Sequence, residues 1–205
     1  MTTSRTTARD PVGTRNRILD ALESLLLDKG MSQVTLESVA AAAGVSKGGL
    51  LYHFKSKDAL LAGLVRRLGE RADQQLRHAV DEGHSVAEWY LQTPQPDNDA
   101  DALDLALHRS ILATMRTVDG AHGRADDANS TTGAADDAPA EETDRALAEM
   151  MGGWKGALDN EIHDPVHAEI VRLVGDGVYL RALLGMRPVD PELYRQLVAR
   201  LLAKT

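Results

Sequence analysis

The chain has 205 residues, 43% of them hydrophobic, which is enough for one domain or two small ones around a buried core. It contains no cysteine, which excludes disulfides, thiolate zinc sites and cysteine nucleophiles, and it lacks an apolar signal region and any long apolar run, so we expect a cytoplasmic protein that does not enter a membrane. The net charge of −8 argues, taken alone, against binding to nucleic acid.

Helical periodicity runs through nearly the whole chain, so the sequence predicts an all-α protein of about nine helices. The first half should contain four helices, covering about residues 14–29, 35–43, 46–53 and 56–82. The fourth has an apolar stripe and would span about 40 Å, which is long enough to join two domains.

The second half should begin with a short helix over residues 86–91, an acidic linker broken by prolines, and a helix over residues 102–118. Residues 120–138 contain almost no large apolar side chain, so we predict a mobile loop there. Three helices complete the chain. One covers residues 140–161, and the other two begin at Asp164-Pro165 and Asp190-Pro191, each with Asp as N-cap and Pro at the first helical position.

Residues 35–57 read TLESVAAAAGVSKGGLLYHFKSK and contain the ordered set that a helix-turn-helix requires. A small residue must lie where the two helices cross, a glycine must follow four positions later at the turn, and apolar residues must wedge the second helix against the first. Ala40, Gly44, Val45 and Leu50 fill these positions. The spacing therefore predicts a DNA-binding helix-turn-helix.

The distribution of charge agrees with this placement. Residues 1–60 hold eight Lys and Arg against six Asp and Glu, whereas residues 61–205 hold 15 against 25. Only the N-terminal segment is basic enough to approach a polyanion, because DNA would repel the acidic remainder.

Residues 14–65 resemble the DNA-binding domain of the TetR family of transcriptional regulators, through the amphipathic first helix, the segments TLESVAAAAGVS and LLYHFKSKDALL, and the long fourth helix. The remainder resembles that family in layout only. The resemblance implies a flexible arm at 1–13, a helix-turn-helix domain at 14–57, and a helical effector-binding and dimerisation domain at 58–205. It also implies a homodimeric repressor that leaves a double-stranded DNA operator when a small-molecule effector binds.

The resemblance assigns DNA contacts to nine residues: Thr35, Ser46, Lys47, Gly48, Gly49, Leu51, Tyr52, His53 and Lys57. Residues 46–53 would form the recognition helix, in which Lys47 could donate to guanine or, equally, to a phosphate. Thr35 would bind a phosphate or serve only as an N-cap. Tyr52 and Lys57 would contact the DNA backbone. The resemblance also places His53 beside the backbone, where the alternative is a packed or solvent-facing ring rather than a base reader.

Other residues of this segment have weaker assignments. Arg15 and Arg17 could add phosphate contacts, and the arm with Arg5 and Arg9 could reach a minor groove or remain a solvated tail. Lys55 is expected to be a solvated charge. Phe54, the one phenylalanine of the chain, is predicted to lie in the core.

Gly48 and Gly49 interrupt the predicted recognition helix, at a cost of roughly 1 kcal/mol each relative to alanine. We interpret them as positions where the helix backbone lies close to the groove. The family more often has threonine in place of Gly49 and an aromatic residue in place of Leu51. Leu51 retains only an apolar contact, such as a thymine methyl group, and base readout would rest mainly on Lys47.

The candidate ligand-binding residues are chosen by type, and the alternative for each is ordinary packing: Trp89, His108, Arg109, Met115, Met151, Trp154 and Tyr179. Because the chain has so few aromatic residues, we expect a mostly aliphatic pocket rather than a stacking site for planar compounds.

The last two helices are the predicted dimerisation surface, since each carries an apolar stripe: Ile170, Leu173, Val174, Gly177 and Val178 on one, and Leu193, Leu197 and Leu201 on the other. Gly175 and Gly177 would let a partner's backbone come close. Two such pairs of helices would form a four-helix interface. The alternative is that the stripes are buried within their own domain.

His163 and His167 are four residues apart, the spacing of two metal ligands on one helical face. Because Asp164-Pro165 starts a helix between them, that face is not shared and we predict no metal site. No nucleophile elbow, P-loop or dinucleotide fingerprint occurs, so we expect neither an enzyme nor a cofactor. The alternatives to a ligand-released repressor are a ligand-free regulator or activator and a helical enzyme or scaffold.

Overall fold

The structure is a computed structural model that describes residues 10–30, 33–92, 102–111 and 141–203. All regular secondary structure in these ranges is helical, which confirms the all-α prediction. These ranges contain nine helices: α1 (Pro11–Lys29), α2 (Leu36–Ala42), α3 (Lys47–His53), α4 (Lys57–Asp81), α5 (Val86–Tyr90), α6 (102–111), α7 (Glu141–Glu161), α8 (Pro165–Leu183) and α9 (Pro191–Leu202). None of them is long and apolar enough to cross a membrane.

Some sequence predictions concern residues outside the described ranges. These are the arm with Arg5 and Arg9, the acidic linker, the loop at 120–138, and Met115. They remain predictions.

Three helices begin with the same Asp-Pro pair. The carboxylates of Asp164 and Asp190 accept hydrogen bonds from first-turn backbone N–H groups at 3.0 and 2.9 Å, which confirms both predicted starts. Asp10 does the same for α1, at 3.1 Å. Because of this third cap, α1 begins at Pro11 rather than at residue 14, and residues 10–13 are not part of a flexible arm.

A first hydrophobic core joins the helix-turn-helix to the second half of the chain. Ile18 of α1 and Leu50 of α3 are fully buried in it. Phe54, directly after α3, is 3% exposed, which confirms its predicted core position. The same cluster includes Leu107 of α6 and Ala146 of α7, and α7 packs along α4. The long helix α4 therefore shares one continuous core with both halves.

A second, smaller core joins α5, α7 and α8 through Ala87, Leu158 and Val171. Val174 of α8 and Leu201 of α9 are partly buried against it. Both are predicted dimer contacts, so the chain itself covers part of each predicted stripe.

Helix α8 crosses α5 at Gly175, where the backbones come close. An added Cβ at this position would lie 2.4 Å from a ring carbon of Tyr90 and 2.7 Å from its carbonyl oxygen. The interpretation of Gly175 as a point of approach for a partner chain is therefore wrong, because Tyr90 of the same chain occupies that space. Gly177, by contrast, has no atom within 4 Å of such a Cβ.

Helix α7 takes part in capping contacts at both ends. At its start, the Asp58 carboxylate of α4 accepts hydrogen bonds from the backbone N–H groups of Glu142 and Thr143, at 2.8 and 3.3 Å. At its end, the Glu161 carboxylate accepts from the N–H groups of Val86 and Ala87, at 2.7 and 2.9 Å, and so caps α5. Since helix N-termini leave these N–H groups without an intrahelical acceptor, the two carboxylates tie α7 to α4 and α5.

The Gly175→Ala variant should be less stable, because the new methyl group overlaps Tyr90 and forces α8 away from α5. We expect a loss of about 1–3 kcal/mol in the free energy of unfolding, measured by urea denaturation. Gly156→Ala on α7 is the matched control, since nothing lies within 4 Å of its Cβ, and it should gain up to about 1 kcal/mol in helix propensity. Equal stability of the two variants would contradict the close approach at Gly175.

Candidate nucleic-acid interface and internal cavity

The helices of the helix-turn-helix segment begin at hydroxyl N-caps. Thr35 Oγ1 accepts from Ser38 N at 3.1 Å, Ser46 Oγ from Gly49 N at 3.0 Å, and Ser56 Oγ from Ala59 N at 2.9 Å. Thr35 is thus an N-cap, as one of its two predicted roles requires. Its hydroxyl accepts in this bond and keeps its own proton, so a phosphate contact remains compatible with capping.

The predicted recognition helix presents polar and aromatic groups on its outer side. Tyr52 is 82% exposed and lies edge-on to His53, with 5.2 Å between the ring centroids. The ammonium group of Lys47 is paired with the Glu37 carboxylate of α2. That hydrogen bond lowers the pKa of Glu37. If Lys47 binds DNA as predicted, a base or a phosphate would compete with this carboxylate for its ammonium group.

The two glycines of α3 occupy different surroundings. A Cβ at Gly48 would meet no atom within 4 Å, so this part of the helix surface is open. A Cβ at Gly49 would lie 3.2 Å from Ser46 Oγ, so Gly49 also leaves room for the capping hydroxyl. Leu51 is partly buried against the first core, which reduces the area that it could offer to a thymine methyl group.

The remaining cations of this segment are placed near the start of α1 and α4. Lys57 is the first residue of α4, where the partial positive charge of the helix N-terminus adds to its own. The guanidinium carbon of Arg15 lies 5.0 Å from the ring centroid of Phe54, a cation–π contact, and Arg17 donates to Thr14 Oγ1 at 3.3 Å. Arg15 and Arg17 thus already make contacts within the chain.

A cavity of about 460 Å³ lies between α4, α5, α6, α7 and α8. Its volume is within the usual range of roughly 300–1,000 Å³ for small-molecule sites. Five of the seven predicted ligand residues line it: Trp89, His108, Met151, Trp154 and Tyr179.

Aliphatic side chains, including two methionines, outnumber aromatic ones in the cavity wall, as predicted, but the aromatic residues are grouped together. Trp89, Tyr90 and Trp154 form one edge-to-face cluster, with 5.8 Å between the centroids of the two indoles. Tyr179 packs edge-on against His108 at 5.8 Å. The chain's low aromatic content is concentrated at one place, which composition does not reveal.

Arg109 does not line the cavity. Its Nε and Nη2 atoms donate to the carbonyl oxygens of Leu183 and Ala182, at 2.7 and 2.6 Å, and so bind the C-terminal end of α8. The prediction of Arg109 as a ligand contact is therefore not supported by its position. The last carbonyl groups of a helix have few backbone donors, although that of Ala182 also accepts from Gly185 N at 3.1 Å, and a cation beside them is favourable.

Sequence reasoning missed two carboxylates in the wall, Asp104 and Asp176. A helical wheel would have placed Asp104 on the same face as His108, four residues later. His108 Nδ1 lies 2.8 Å from the Asp104 carbonyl oxygen and 3.0 Å from the Tyr179 hydroxyl, and the tautomer of the ring sets whether it donates to the first or accepts from the second. Burial lowers the pKa of His108, which keeps the ring neutral.

A network of ion pairs connects the cavity wall to α1. Both carboxylate oxygens of Glu23 accept from Arg71 Nη2 at 2.9 Å, and Glu23 is only 8% exposed. The same guanidinium donates from Nη1 to Asp104 Oδ1 at 3.4 Å. Burial raises the pKa of Asp104, and Arg71 opposes that shift. One side chain of α4 thus holds a carboxylate from each half of the chain.

The predicted dimerisation surface is exposed in part. Ile170, Leu173 and Leu193 are exposed, whereas Val178 and Leu197 are of intermediate burial. On α8, Val166, Ile170, Leu173, Gly177, Leu180 and Leu184 follow one another at alternating spacings of four and three residues. This spacing is the repeat found at helix–helix interfaces, and we call these six residues the α8 seam. Near its middle, the space around a Cβ at Gly177 is open.

The two histidines considered for a metal site have different surroundings. His163 precedes α8 and is exposed, while His167 is buried with Nε2 3.0 Å from the Leu201 carbonyl oxygen. Within the described part of the chain, no three His, Asp or Glu residues are grouped to hold a metal ion.

Two family models match the chain. One, described as bacterial regulatory proteins of the tetR family, matches residues 18–64, and the other, described as the tetracyclin repressor-like C-terminal domain, matches residues 106–205. The HTH-type transcriptional regulator TtgR of Pseudomonas putida is 32% identical over 78 residues, which cover 38% of this chain and 37% of TtgR. The match therefore spans little more than a third of that relative's length.

Solved structures of similar fold extend over nearly the whole chain. SCO1917 of Streptomyces coelicolor, a member of the TetR family, aligns with a TM-score of 0.62 and 24% identity, covering 92% of this chain and 97% of SCO1917. The multidrug binding protein EbrR, in complex with malachite green, aligns with a TM-score of 0.59 and 25% identity, covering 91% of this chain and 96% of EbrR. The likeness confirms the predicted fold of a helix-turn-helix domain followed by a helical domain.

Stability should fall as the pH is lowered through the titration of His108. Its folded pKa lies below the ordinary value of 6.5, so the unfolded chain binds more protons in that window. Between about pH 7.5 and pH 5.5 we expect the free energy of unfolding to drop more steeply in the native chain than in His108→Gln. His163→Gln, which changes an exposed histidine, should keep the native pH dependence. Identical pH profiles for His108→Gln and the native chain would contradict a neutral, buried His108.

Proposed function

The chain belongs to the TetR family of transcriptional regulators, and we propose that it is a homodimeric repressor that leaves its operator when a small molecule enters the cavity. Family membership makes it a DNA-binding regulator rather than an enzyme. It would act in the cytoplasm on a pseudo-palindromic operator, with one recognition helix in each of two successive major grooves. Their separation would be about 34–36 Å, one turn of the DNA helix.

The observation that carries the ligand-dependent part of this proposal is the position of Arg71. Its guanidinium binds Glu23 of α1 and Asp104 in the cavity wall. A ligand beside Asp104 would change the ion pairs of Arg71, and with them the preferred position of α1 against α4. An effector acts only through different affinities for two states, and this shared side chain gives it a physical route to the DNA-binding half.

The cavity favours a ligand-responsive regulator over a ligand-free one. A domain packed without space would have supported the ligand-free alternative, whereas about 460 Å³ is available here. EbrR, the similar protein described above, is a multidrug binding protein that holds malachite green. By analogy, we propose that the cavity of this chain is the effector site and that Trp89, Trp154 and Tyr179 contact the effector.

The interface with DNA would combine backbone contacts with few base contacts. Thr35 and Lys57 would bind phosphates at the N-termini of α2 and α4, and Tyr52 would contact the backbone beside them. Gly48 would allow the N-terminal turn of α3 to approach the groove. Because Lys47 is then the main base reader, operator shape and half-site spacing would contribute much of the specificity.

Dimerisation would use the exposed seam of α8 together with Leu193 of α9. A two-fold axis near Gly177 would let the seam pack against its own copy, since the lack of a side chain permits close backbone contact. Val174 and Leu201 contribute less to this proposed interface than predicted, because the second core already covers them in part.

DNA binding should separate the roles of Lys57 and Lys47. With an operator selected from genomic fragments, Lys57→Ala should weaken binding to operator and random DNA alike and reduce the slope of affinity against salt by about 1. Lys47→Ala should cost about 1–3 kcal/mol at particular base pairs and relax the preference there. Lys55→Ala is the control and should change little.

Fluorescence anisotropy over a series of salt concentrations and mutated operators measures both effects. A uniform loss for Lys47→Ala and Lys57→Ala would remove Lys47 from base readout. Absence of any sequence-selective, salt-sensitive binding would refute the proposed repressor.

Dimerisation should depend on the α8 seam. Leu173 is 61% exposed, and Leu173→Glu would bury two like charges at a self-complementary interface, so we expect monomers at micromolar concentration by sedimentation equilibrium. Val80→Glu, an equivalent change at an exposed position of α4, should leave the dimer intact. A dimeric Leu173→Glu variant would place the interface elsewhere.

A further inference from the structure

Four of the seven aromatic residues of this chain lie around the cavity. The sequence contains two Trp, four Tyr and one Phe, and Trp89, Trp154, Tyr90 and Tyr179 all line the wall. Aromatic faces carry negative electrostatic potential, so they attract cations as well as apolar groups. The wall therefore favours ligands that combine an apolar surface with positive charge.

Asp104 adds a carboxylate whose charge is incompletely matched. Among the described residues, its close cation is Arg71, at 3.4 Å, and Arg71 also donates to both oxygens of Glu23 at 2.9 Å. Arg67 pairs with Glu23 and with Asp20, so the three carboxylates of this group share two guanidinium groups. Of the three carboxylates, Asp104 has the longest closest contact with a guanidinium group, at 3.4 Å, so its charge is the least compensated.

Asp176 of α8 is the second carboxylate in the cavity wall. Its Oδ1 accepts a hydrogen bond from the neutral Tyr90 hydroxyl at 2.5 Å. The nearby Arg172 is paired with Glu169. No Lys or Arg lines the cavity in the part of the chain that the structure describes, and His108 is neutral. The wall thus carries an excess of negative charge on two sides.

We propose that the cavity takes a bulky organic cation with aromatic or apolar substituents, whose charge lies between Asp104 and Asp176. This inference rests on the ligand-dependent regulation proposed above and names the class of ligand. An anion of the same shape is disfavoured, because it would be desolvated beside two carboxylates, and the described part of the wall has no Lys or Arg to receive it. A bound cation also competes with Arg71 for Asp104, which gives the ligand its effect on the Arg71–Glu23 contact.

Two ions of nearly the same shape and opposite charge test this selectivity. Tetraphenylphosphonium and tetraphenylborate differ mainly in charge, and the two tryptophans of the full chain both line the cavity, so quenching of intrinsic fluorescence reports binding without a label. We expect the phosphonium ion to bind at least about tenfold more tightly than the borate, which corresponds to about 1.4 kcal/mol.

Asp104→Asn and Asp176→Asn should each weaken phosphonium binding by about tenfold. Asp28→Asn, an equal change of net charge on an exposed face of α1, should leave it unchanged. Thermal melting confirms that each variant is folded. A borate affinity equal to or above that of the phosphonium ion, binding of neither ion, or phosphonium binding unaffected by both cavity variants would overturn the proposal.

The same preparations are assayed for operator binding, which keeps this proposal distinct from the repressor function. Operator binding without charge preference in the cavity would remove the cationic ligand class and leave the repressor. Charge-selective binding without any operator binding would remove the repressor and leave a cation-binding cavity. Release of the operator by the phosphonium ion, but not in Asp104→Asn, is the outcome that the combined proposal expects.

Discussion

The contact between Glu23 and Arg71 is the constraint on which the relative placement of the two halves depends. Glu23 is almost fully buried on α1, and a carboxylate in that position is tolerated only beside a cation. Arg71 provides two hydrogen bonds to it from α4. Removing Arg71 would leave the buried Glu23 carboxylate without this partner, which is destabilising. Because α1 and α3 share the first core, the recognition helix is coupled through that core to the contact between α1 and α4.

The helix-turn-helix could be read from the sequence because its determinants are local. Ala40, Gly44 and Leu50 act through spacing along two short helices, and a left-handed φ of 66° at Gly44 is a property of that residue alone. The Asp-Pro helix starts were predictable for the same reason, and the one that was missed, at Asp10, carries the same signal as the two that were found.

The cavity was less accessible to sequence reasoning because its members come together over long separations. Trp89 and Trp154 could be named by type, but their contact depends on how α7 packs against α4 and α5. The role of Arg109 depends on the end of α8, which lies more than 70 residues away in sequence. The role of Gly175 depends on Tyr90 of α5, which packs against it and is 85 residues away in sequence. The pairing of Asp104 with Arg71 likewise has no local signature.

The pairing of Lys47 with Glu37 bears on how a regulator of this kind would search a chromosome. To bind a phosphate at a random site, Lys47 would give up its ion pair with Glu37 and form another in its place. It would therefore gain less binding free energy than an unpaired cation, which only displaces counterions. Each visit to unrelated sequence would therefore be short. At the operator, a guanine edge would add hydrogen bonds that random sites lack. A carboxylate that opposes DNA binding in general can in this way shorten the time that each molecule spends away from its own site.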